Sequence, residues 1–527
     1  MSTLTYSIAD GDYEHGGSAS RLLKNQLKKV GADPAVIRRA MIAVYEAEMN
    51  VVIHARGGEL RATLSDHQLE VEIVDQGPGI PDIERAMQPG FSTASAQARQ
   101  LGFGAGMGLP NIRKASDEFT IESTPGVGTR IRFTVRLKPQ ALYGEGRHSV
   151  HIVADKCQAC LRCLHVCPTR AVRVFRGKPQ ILDYLCVDCA ACVATCPTGA
   201  FTVAGPNAEL TPRADVTLVV PPAVLVQYGP KYAPARVLAE LQTLGYGEVV
   251  VTAGWETALR AAVVADAATG QRPRPVISPV CPAVVNLIET RYPALIPHLA
   301  PWLSPFEAVG AALPGRQLAC VVTCLCQRTV LLASPAAQSS PPPEIILPAT
   351  LRAVLGLRLK GEHDDADAIP VQSPVTSTTD ADGVLRVAGV AHVASLLERI
   401  EDGQVGDVQV VEPYACNEGE FGSPLLAENP CLARHRWEAG VLADDPRAQA
   451  MTRDAAYTPR PGLRLDADMA KAVQKMGRID KLARSLPGDD CGLCGAPTCM
   501  ALAEDIVLGR AADGACRRPT DQPKERT

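Results

Sequence analysis

Eight cysteines form two copies of one pattern in the first half of the chain. Each copy reads C-x2-C-x2-C-x3-C and is followed by proline. The cysteines are Cys157, Cys160, Cys163, Cys167, Cys186, Cys189, Cys192 and Cys196. Three close thiolates can converge on one cube of iron and sulfide, while the fourth reaches a second cube. Structural zinc needs only four ligands and does not call for the trailing proline, so the spacing predicts two [4Fe–4S] clusters.

The repeated run resembles the bacterial two-cluster ferredoxins, over residues 148–205. The resemblance implies that each cluster takes three ligands from one copy and one from the other. The first ligand set is Cys157, Cys160, Cys163 and Cys196, and the second is Cys186, Cys189, Cys192 and Cys167. An electron donor or acceptor protein is then an expected partner.

Four more cysteines near the end of the chain follow a C-x2-C-x4-C-x16-C spacing. They are Cys491, Cys494, Cys499 and Cys516. Gly492, Gly495 and Pro497 supply tight turns between the first three. Zinc also fits this spacing. The run resembles a small [4Fe–4S] domain of electron-transfer subunits, corrinoid-protein complexes and sensory hydrogenases. This resemblance, over residues 471–517, implies a third cluster.

The first 137 residues carry a different chemistry. A helix starting at Asp33-Pro34 places Glu46 and Asn50 four residues apart on one side. Strand-like alternation occurs at residues 69–73 and 131–135. Two glycine-rich segments, residues 74–80 and 102–109, would let the backbone approach a phosphate. Either segment alone is a weak signal.

In this order, these motifs resemble the Bergerat-type ATPase fold of gyrase, Hsp90 and histidine kinases, and in particular the short serine kinases of anti-sigma pathways. The resemblance implies ATP, Mg²⁺ bound by Asn50, and Glu46 as general base. Asp75 would accept from the adenine amino group, with Thr129 supporting that contact. The glycines that would shape the pocket and lid are Gly77, Gly79, Gly104, Gly106 and Gly108. The substrate would be a protein of the anti-sigma-antagonist type; the sequence leaves ATP hydrolysis open, and a fold that lost ATP is the alternative.

Residues 211–440 alternate strands and helices, which predicts an α/β domain with a largely parallel sheet. Cysteines stand at three distant stations, Cys281, Cys324 and Cys416. The segments around Cys281 and Cys416 resemble the large-subunit domain of iron-only ([FeFe]) hydrogenases. In that family four cysteines hold a [4Fe–4S] cube, and the last one bridges to a two-iron centre.

The chain departs from that family at the bridging position. Glu420 stands where the fourth cysteine is expected, and Val280 replaces a proton-relay cysteine. Glu420, Cys326 and Cys431 are open candidates for the missing ligand, although a carboxylate is a harder ligand than a thiolate. We interpret Cys320 as a small buried hydrophobe. A fourth cluster therefore stays open, and a two-iron subcluster is not expected. The segments 334–343 and 361–383 are interpreted as loops.

Composition places the chain among ordinary globular proteins. It has 527 residues, which predicts several domains, with 46% hydrophobic and 21% charged residues. A net charge of -4 gives no case for nucleic acid or an anionic membrane as partner. Twelve of 18 cysteines lie in cluster-type spacings, so we predict a reducing, cytoplasmic location without a signal peptide or membrane span. Residues 441–470 are a predicted linker, and the tail from Arg517 is predicted to be disordered.

The sequence therefore predicts a multidomain α/β and α+β protein with four parts: an ATPase sandwich, a bacterial ferredoxin fold, a hydrogenase-like α/β domain and a small C-terminal Fe–S domain. The joint presence of clusters and a kinase-like ATPase favours a redox- or H₂-responsive regulator. The alternative is a catalytic [FeFe]-hydrogenase or electron-transfer subunit. The kinase substrate, the signal and the oligomeric state are not determined by the sequence.

Overall fold

The structure is a computed structural model that describes residues 2–13, 15–65, 67–94, 98, 104–137, 148–203, 210–333, 343–361, 383–440, 442, 445–460 and 464–518. Most of both predicted loops, residues 519–527 of the predicted tail and Gly102 lie outside the described residues. Within these ranges, no helix combines the length and the apolar character that a membrane crossing requires.

The N-terminal region is an antiparallel sheet covered by helices. Its strands are β1 (Ser2–Ile8), β2 (Gly58–Leu64), β3 (Gln68–Asp75), β4 (Glu118–Thr124) and β5 (Gly128–Arg136), in the order β1-β2-β3-β5-β4. Its helices are α1 (Ser18–Lys29), α2 (Pro34–His54), α3 (Ile83–Ala86) and α4 (Gly108–Ala115). The predicted helix start at Pro34 and both predicted strands are confirmed.

The cysteine repeat folds as two short helices with two two-stranded antiparallel sheets. The helices are α5 (Arg162–Val166) and α6 (Ala191–Thr195). The strands are β6 (Val150–Ile152), β7 (Val172–Phe175), β8 (Lys178–Ile181) and β9 (Phe201–Val203), with β6 paired to β9 and β7 to β8, both antiparallel. Each short helix therefore occupies the same place in its own copy of the repeat.

The next region contains two parallel sheets, as the alternation of strands and helices predicts. The strands are β10 (Val216–Val220), β11 (Glu248–Val251), β12 (Val276–Ile277), β13 (Gln317–Val321), β14 (Glu344–Ile346), β15 (Val384–Ala388) and β16 (Val410–Tyr414). The sheet orders are β11-β10-β13-β14 and β12-β16-β15. The helices are α7 (Pro222–Leu225), α8 (Pro234–Gln242), α9 (Ala253–Ala268), α10 (Pro282–Arg291), α11 (Pro305–Ala312), α12 (Leu325–Ala333), α13 (Pro348–Gly361), α14 (Val390–Glu401) and α15 (Pro430–Glu438).

Two helices complete the chain, α16 (Met469–Ser485) and α17 (Cys499–Val507). Both have side-chain N-caps, because Asp468 accepts from the Ala470 and Lys471 amides and Thr498 from the Ala501 amide.

Contacts divide the chain into two compact units, and the division does not follow the order of the sequence. One unit joins the described parts of Met1–Leu142 with those of Pro461–Cys494 and Thr498–Thr527. The other contains the described parts of Tyr143–Arg460 with Gly495–Pro497. The C-terminal helices thus belong to the same unit as the N-terminal sheet.

Candidate functional site

Helix α2 carries two polar side chains toward the glycine-rich segments. Glu46 Oε1 accepts a hydrogen bond of 2.7 Å from the side-chain amide of Asn111 on α4. Among the described residues, the buried Nδ2 of Asn50 has no hydrogen-bond partner. A buried unpaired amide is costly to a folded protein unless a ligand or ion completes it. The Nδ2 of Asn50 is therefore available to donate to a ligand.

The Asp75 carboxylate is held in place by backbone amides. Its Oδ1 accepts from Gly77 N at 2.7 Å and from Thr129 N at 3.1 Å. The Thr129 hydroxyl lies 2.8 Å from Ser123 Oγ, which accepts in turn from Ile80 N at 2.7 Å. These bonds link the end of β3 to β4 and β5 and fix the orientation of the Asp75 carboxylate.

The glycines of this site are needed for close approach of the backbone. A Cβ on Gly79 would lie 2.2 Å from Thr124 O, and one on Gly108 would lie 2.9 Å from Asn50 Oδ1. Gly104 and Gly106 have φ of +82° and +73°, a region that favours glycine. The structure therefore places Gly108 against Asn50, and Gly77 and Thr129 against Asp75.

The two copies of the cysteine repeat have matching backbone conformations. Non-glycine residues have positive φ at equivalent places, Ala159 and Leu161 in one copy and Asp188 and Ala190 in the other. Strained backbone of this kind persists where the surroundings require it, as at metal-binding loops. The Ala171 amide also donates to Cys167 Sγ at 3.2 Å, a bond that would tune this sulfur if it binds a cluster as the sequence predicts.

The thiols of this repeat differ in burial and therefore in pKa. It raises the pKa of Cys163 to about 11 and that of Cys189 to about 12. Because iron binds the thiolate, ligation at neutral pH must displace protons from these groups. Cys160 is exposed, whereas Cys163 and Cys192 are buried.

Three cysteines that are far apart in sequence, Cys281, Cys324 and Cys416, line one pocket. The thiol of Cys326 lines the same pocket. Cys281 caps α10, Cys324 directly precedes α12, and Cys416 follows β16. Cys324 Sγ lies 3.9 Å from Cys416 Sγ, and the Cys326 thiol hydrogen-bonds to those of Cys281 and Cys324. These bonds from Cys326 and Cys416 lower the pKa of Cys324. Convergence of the three predicted residues is thus observed.

Cys320 and Cys431, the two remaining cysteines of this region, do not line this pocket. Cys320 is buried on β13, and burial raises its thiol pKa to about 12, which agrees with its interpretation as a small hydrophobe. Cys431 is exposed on α15.

Glu420 lines the same pocket as the four thiols, together with Glu256. Its Oε1 accepts a hydrogen bond of 3.0 Å from Ala223 N. Burial raises the pKa of Glu420 well above its usual range and that of Glu256 to about 8. A carboxylate here cannot supply the sulfur that would bridge to a two-iron centre, so the residues present do not fit that group.

Cys491 and Cys494 precede α17, Cys499 begins it, and Cys516 follows it in the chain. Cys499 is the first residue of that helix, and its amide donates to Asp490 Oδ1 at 2.7 Å. Asp490 and Gly492 have positive φ on either side of Cys491, which makes the turn predicted there.

Sequence patterns missed Asn111, the partner of Glu46, and Glu48, whose carboxylate oxygens accept from Ala19 N at 3.1 Å and Ser20 N at 3.2 Å. Glu48 is two residues from Glu46, so the helical spacing could have flagged a second acidic face, whereas nothing local marks Asn111.

Four families match successive parts of the chain. Residues 35–139 match the histidine kinase-, DNA gyrase B- and HSP90-like ATPases, and residues 149–197 match the 4Fe-4S dicluster domain. Residues 214–318 match the iron only hydrogenase large subunit, C-terminal domain, and residues 486–518 match a family described as a putative Fe-S cluster.

Several relatives match the N-terminal region of the chain. The anti-sigma F factor of Caldanaerobacter subterraneus is 40% identical over 109 residues, which cover 19% of this chain and 73% of that protein. The serine/threonine-protein kinase RsbT of Bacillus subtilis is 34% identical over 119 residues, covering 22% of this chain and 84% of that protein. Among solved structures, a variant of the [FeFe]-hydrogenase HydA1 from Chlamydomonas reinhardtii has 14% identity and a TM-score of 0.33, covering 45% of this chain and 86% of that one.

Proposed function

Because the chain belongs, through its N-terminal region, to the family of the anti-sigma F factors and RsbT-type kinases, we propose that it is a cluster-responsive, ATP-dependent switch. Iron–sulfur chemistry and ATP binding follow from the families that the chain contains. The regulation of the ATPase region by cluster state is the proposal. The observation that carries it is the packing of the C-terminal cysteine segment into the ATPase core.

Helix α16 supplies the apolar part of this packing. Its residues Val473, Met476 and Ile479 are buried in the same hydrophobic core as α1, α2 and the N-terminal sheet. Asp480 adds polar contacts, because its Oδ2 accepts from Ser2 Oγ at 3.0 Å and from Gln26 Nε2 at 3.3 Å. Burying three large apolar side chains favours this arrangement by several kcal/mol, about 1.5–3 kcal/mol for each.

Helix α17 connects a proposed cluster ligand to the same core. It begins at Cys499, and Glu504, five residues on, lies 3.2 Å from Lys29 Nζ at the end of α1. At the other end of α1, the Ala19 and Ser20 amides donate to Glu48 of α2. Helix α2 also carries Glu46 and Asn50. A continuous set of contacts therefore runs from a proposed ligand to the proposed catalytic residues.

In this proposal the nucleotide site works as the resemblance implies. Asn50 would hold Mg²⁺ through Oδ1, since a side-chain carbonyl oxygen suits this ion. Its Nδ2, which has no partner among the described residues, would be available to donate to the nucleotide. Asp75 would receive the adenine amino group, with Thr129 beside it. Glu46, oriented by Asn111, would act as general base. The glycines Gly77, Gly79, Gly104, Gly106 and Gly108 would let the backbone approach the phosphates.

Phosphoryl transfer depends mainly on positioning and charge. A shift of α2 by a fraction of an ångström at Glu46 would therefore change turnover, while affinity for ATP would change less. The acceptor would be a protein of the anti-sigma-antagonist type, and an electron-transfer protein would exchange electrons with the ferredoxin-like region. We also propose that the four parts of the chain have the boundaries predicted from the sequence, namely residues 1–137, 148–205, 211–440 and 471–517.

Hydrogen turnover is not part of the proposal, because Glu420 occupies the bridging position.

The experiment compares ATP turnover and phosphotransfer to a candidate acceptor in dithionite-reduced and oxidised protein under anaerobic conditions. The proposal predicts that the rates of ATP turnover in reduced and oxidised protein differ by about fivefold or more. Fivefold is the lower end of the usual range of allosteric coupling. Equal rates in protein with full iron content would contradict it.

A further inference from the structure

We infer that Cys326 is the fourth ligand of a [4Fe–4S] cluster held with Cys281, Cys324 and Cys416. Such a cluster is all-cysteine, and Glu420 is a neighbour rather than a ligand. This assignment stands on the geometry of the pocket and does not require the proposed switch.

The thiols form a continuous set in the pocket. Cys326 hydrogen-bonds to Cys281 and Cys324, and Cys324 Sγ lies 3.9 Å from Cys416 Sγ. Cys281, Cys324 and Cys326 are each less than one tenth exposed. Four sulfur ligands in a protected pocket suit soft metal centres, namely iron–sulfur clusters or zinc.

Two of the four cysteines lie at the start of α12. Cys324 precedes the helix and Cys326 is its second residue, so both lie at the positive end of the helix dipole. Gln327 Oε1 accepts from the amides of Thr323 and Cys324 at 2.8 and 3.1 Å, which fixes the turn that presents the two sulfurs. Each thiol gives up its proton when its sulfur binds iron.

The carboxylate of Glu420 is already engaged by the protein. It accepts hydrogen bonds from Ala223 N at 3.0 Å and from the Gln327 side chain. As a hard oxygen ligand, it would compete poorly with the Cys326 sulfur for iron. Cys431 is exposed on α15, whereas all four thiols of the set line the pocket.

The neighbourhood favours an electron-carrying centre over zinc. Cys189, a ligand in the predicted second ferredoxin cluster, packs against the core that contains Cys281, Cys324 and Cys326. Thr329 of α12 bonds to Asp188, and Arg328 donates to Ser149 Oγ at 3.0 Å. A redox-inert ion beside a ferredoxin cluster would carry no electron onward. Zinc remains the competing occupant, since tetrahedral Zn–S bonds of about 2.3 Å place sulfurs about 3.8 Å apart.

The test measures metal content and electron paramagnetic resonance (EPR) spectra of the full-length protein, reconstituted anaerobically with iron and sulfide. The wild type should hold about 16 iron atoms, four for each of four clusters. Cys326→Ser should lose about four irons if the whole cluster is lost. If the cluster is instead converted to a [3Fe–4S] form, the variant should lose about one iron and show a new EPR signal. The matched variants Cys320→Ser and Cys431→Ser should keep the wild-type content. The EPR signals of the ferredoxin clusters report whether each variant has folded.

Glu420→Gln provides a second test that does not remove a thiol. It keeps the volume and the acceptor for Ala223 N, and we expect its iron content and spectra to match those of the wild type. Loss of about four irons in Glu420→Gln would make Glu420 the ligand and overturn the assignment. Unchanged content in Cys326→Ser would also overturn it, as would a wild type with about 12 irons and one zinc.

Discussion

Lys29 and Glu504 form an ion pair, with 3.2 Å between Lys29 Nζ and the Glu504 carboxylate. The pair joins the end of α1 to α17, the helix that begins at Cys499. Both side chains are about one fifth exposed, so water and salt screen the pair only in part. If cluster state reaches the nucleotide site through α1, this contact should transmit part of the effect.

We predict that Lys29→Glu weakens the dependence of ATP turnover on cluster redox state. Two like charges would then face each other, and the response should fall by about fivefold, equivalent to roughly 1 kcal/mol of pair energy. The measurement is the ratio of turnover rates in reduced and oxidised protein. The swapped double variant Lys29→Glu/Glu504→Lys is the control and should recover most of the response. A full response in Lys29→Glu alone would exclude this contact from the coupling.

We predict that Asn111→Ala lowers ATP turnover by about ten- to a hundredfold, because Glu46 loses the hydrogen bond that orients it. ATP affinity should stay within about twofold, since Asn111 acts through Glu46. Arg113→Ala, on the exposed face of the same helix, is the matched control and should behave as the wild type. A loss confined to affinity would argue against Glu46 as general base.

Gly108→Ala should weaken ATP binding mainly when Mg²⁺ is present. The new Cβ would lie 2.9 Å from Asn50 Oδ1 and would displace the side chain proposed to hold the metal. We expect about a tenfold loss of affinity with Mg²⁺ and a much smaller loss with the metal chelated, measured by calorimetry. The same loss under both conditions would indicate that Asn50 does not hold Mg²⁺.

The stability of α2 should depend on pH through His54. Partial burial lowers the pKa of His54 below its ordinary 6.5, although Asp75 opposes the shift. The unfolded chain therefore binds this proton more tightly, so the stabilisation is present above about pH 6.5 and is lost as the pH falls below it. Hydrogen exchange of α2 peptides, corrected for intrinsic rates, should show less protection at pH 5.5 than at pH 7.5. His54→Asn should remove the difference, and an equal difference in the variant would assign it to another group.

Local patterns were sufficient for the elements but not for the contacts between distant segments. Proline after an N-capping position marked the start of α2, and the alternation of apolar residues marked β3 and β5. The cysteine spacings indicated clusters because their ligands are close in sequence. The convergence of Cys281, Cys324 and Cys416 followed from a family resemblance rather than from spacing.

The sequence left the role of Cys326 open, because its distance from Cys281 depends on how two parallel sheets bring α10 and α12 together. The packing of α16 onto the N-terminal core was not predicted either. The apolar residues of α16 indicate a buried face, but they do not specify what covers it.

Removing one cluster from each unit of the chain and measuring ATP turnover distinguishes the C-terminal cluster from the ferredoxin-like clusters as the control of the ATPase region. Cys499→Ser removes a proposed ligand beside α17, and Cys160→Ser is the matched control in the ferredoxin-like repeat. Iron analysis should show that each variant has lost between about one and about four irons relative to the wild type. The account predicts that Cys499→Ser changes turnover by about fivefold or more and abolishes its redox dependence, while Cys160→Ser leaves the turnover of oxidised protein unchanged. Unchanged turnover and redox dependence in Cys499→Ser would contradict the proposal that the C-terminal cluster controls the ATPase region.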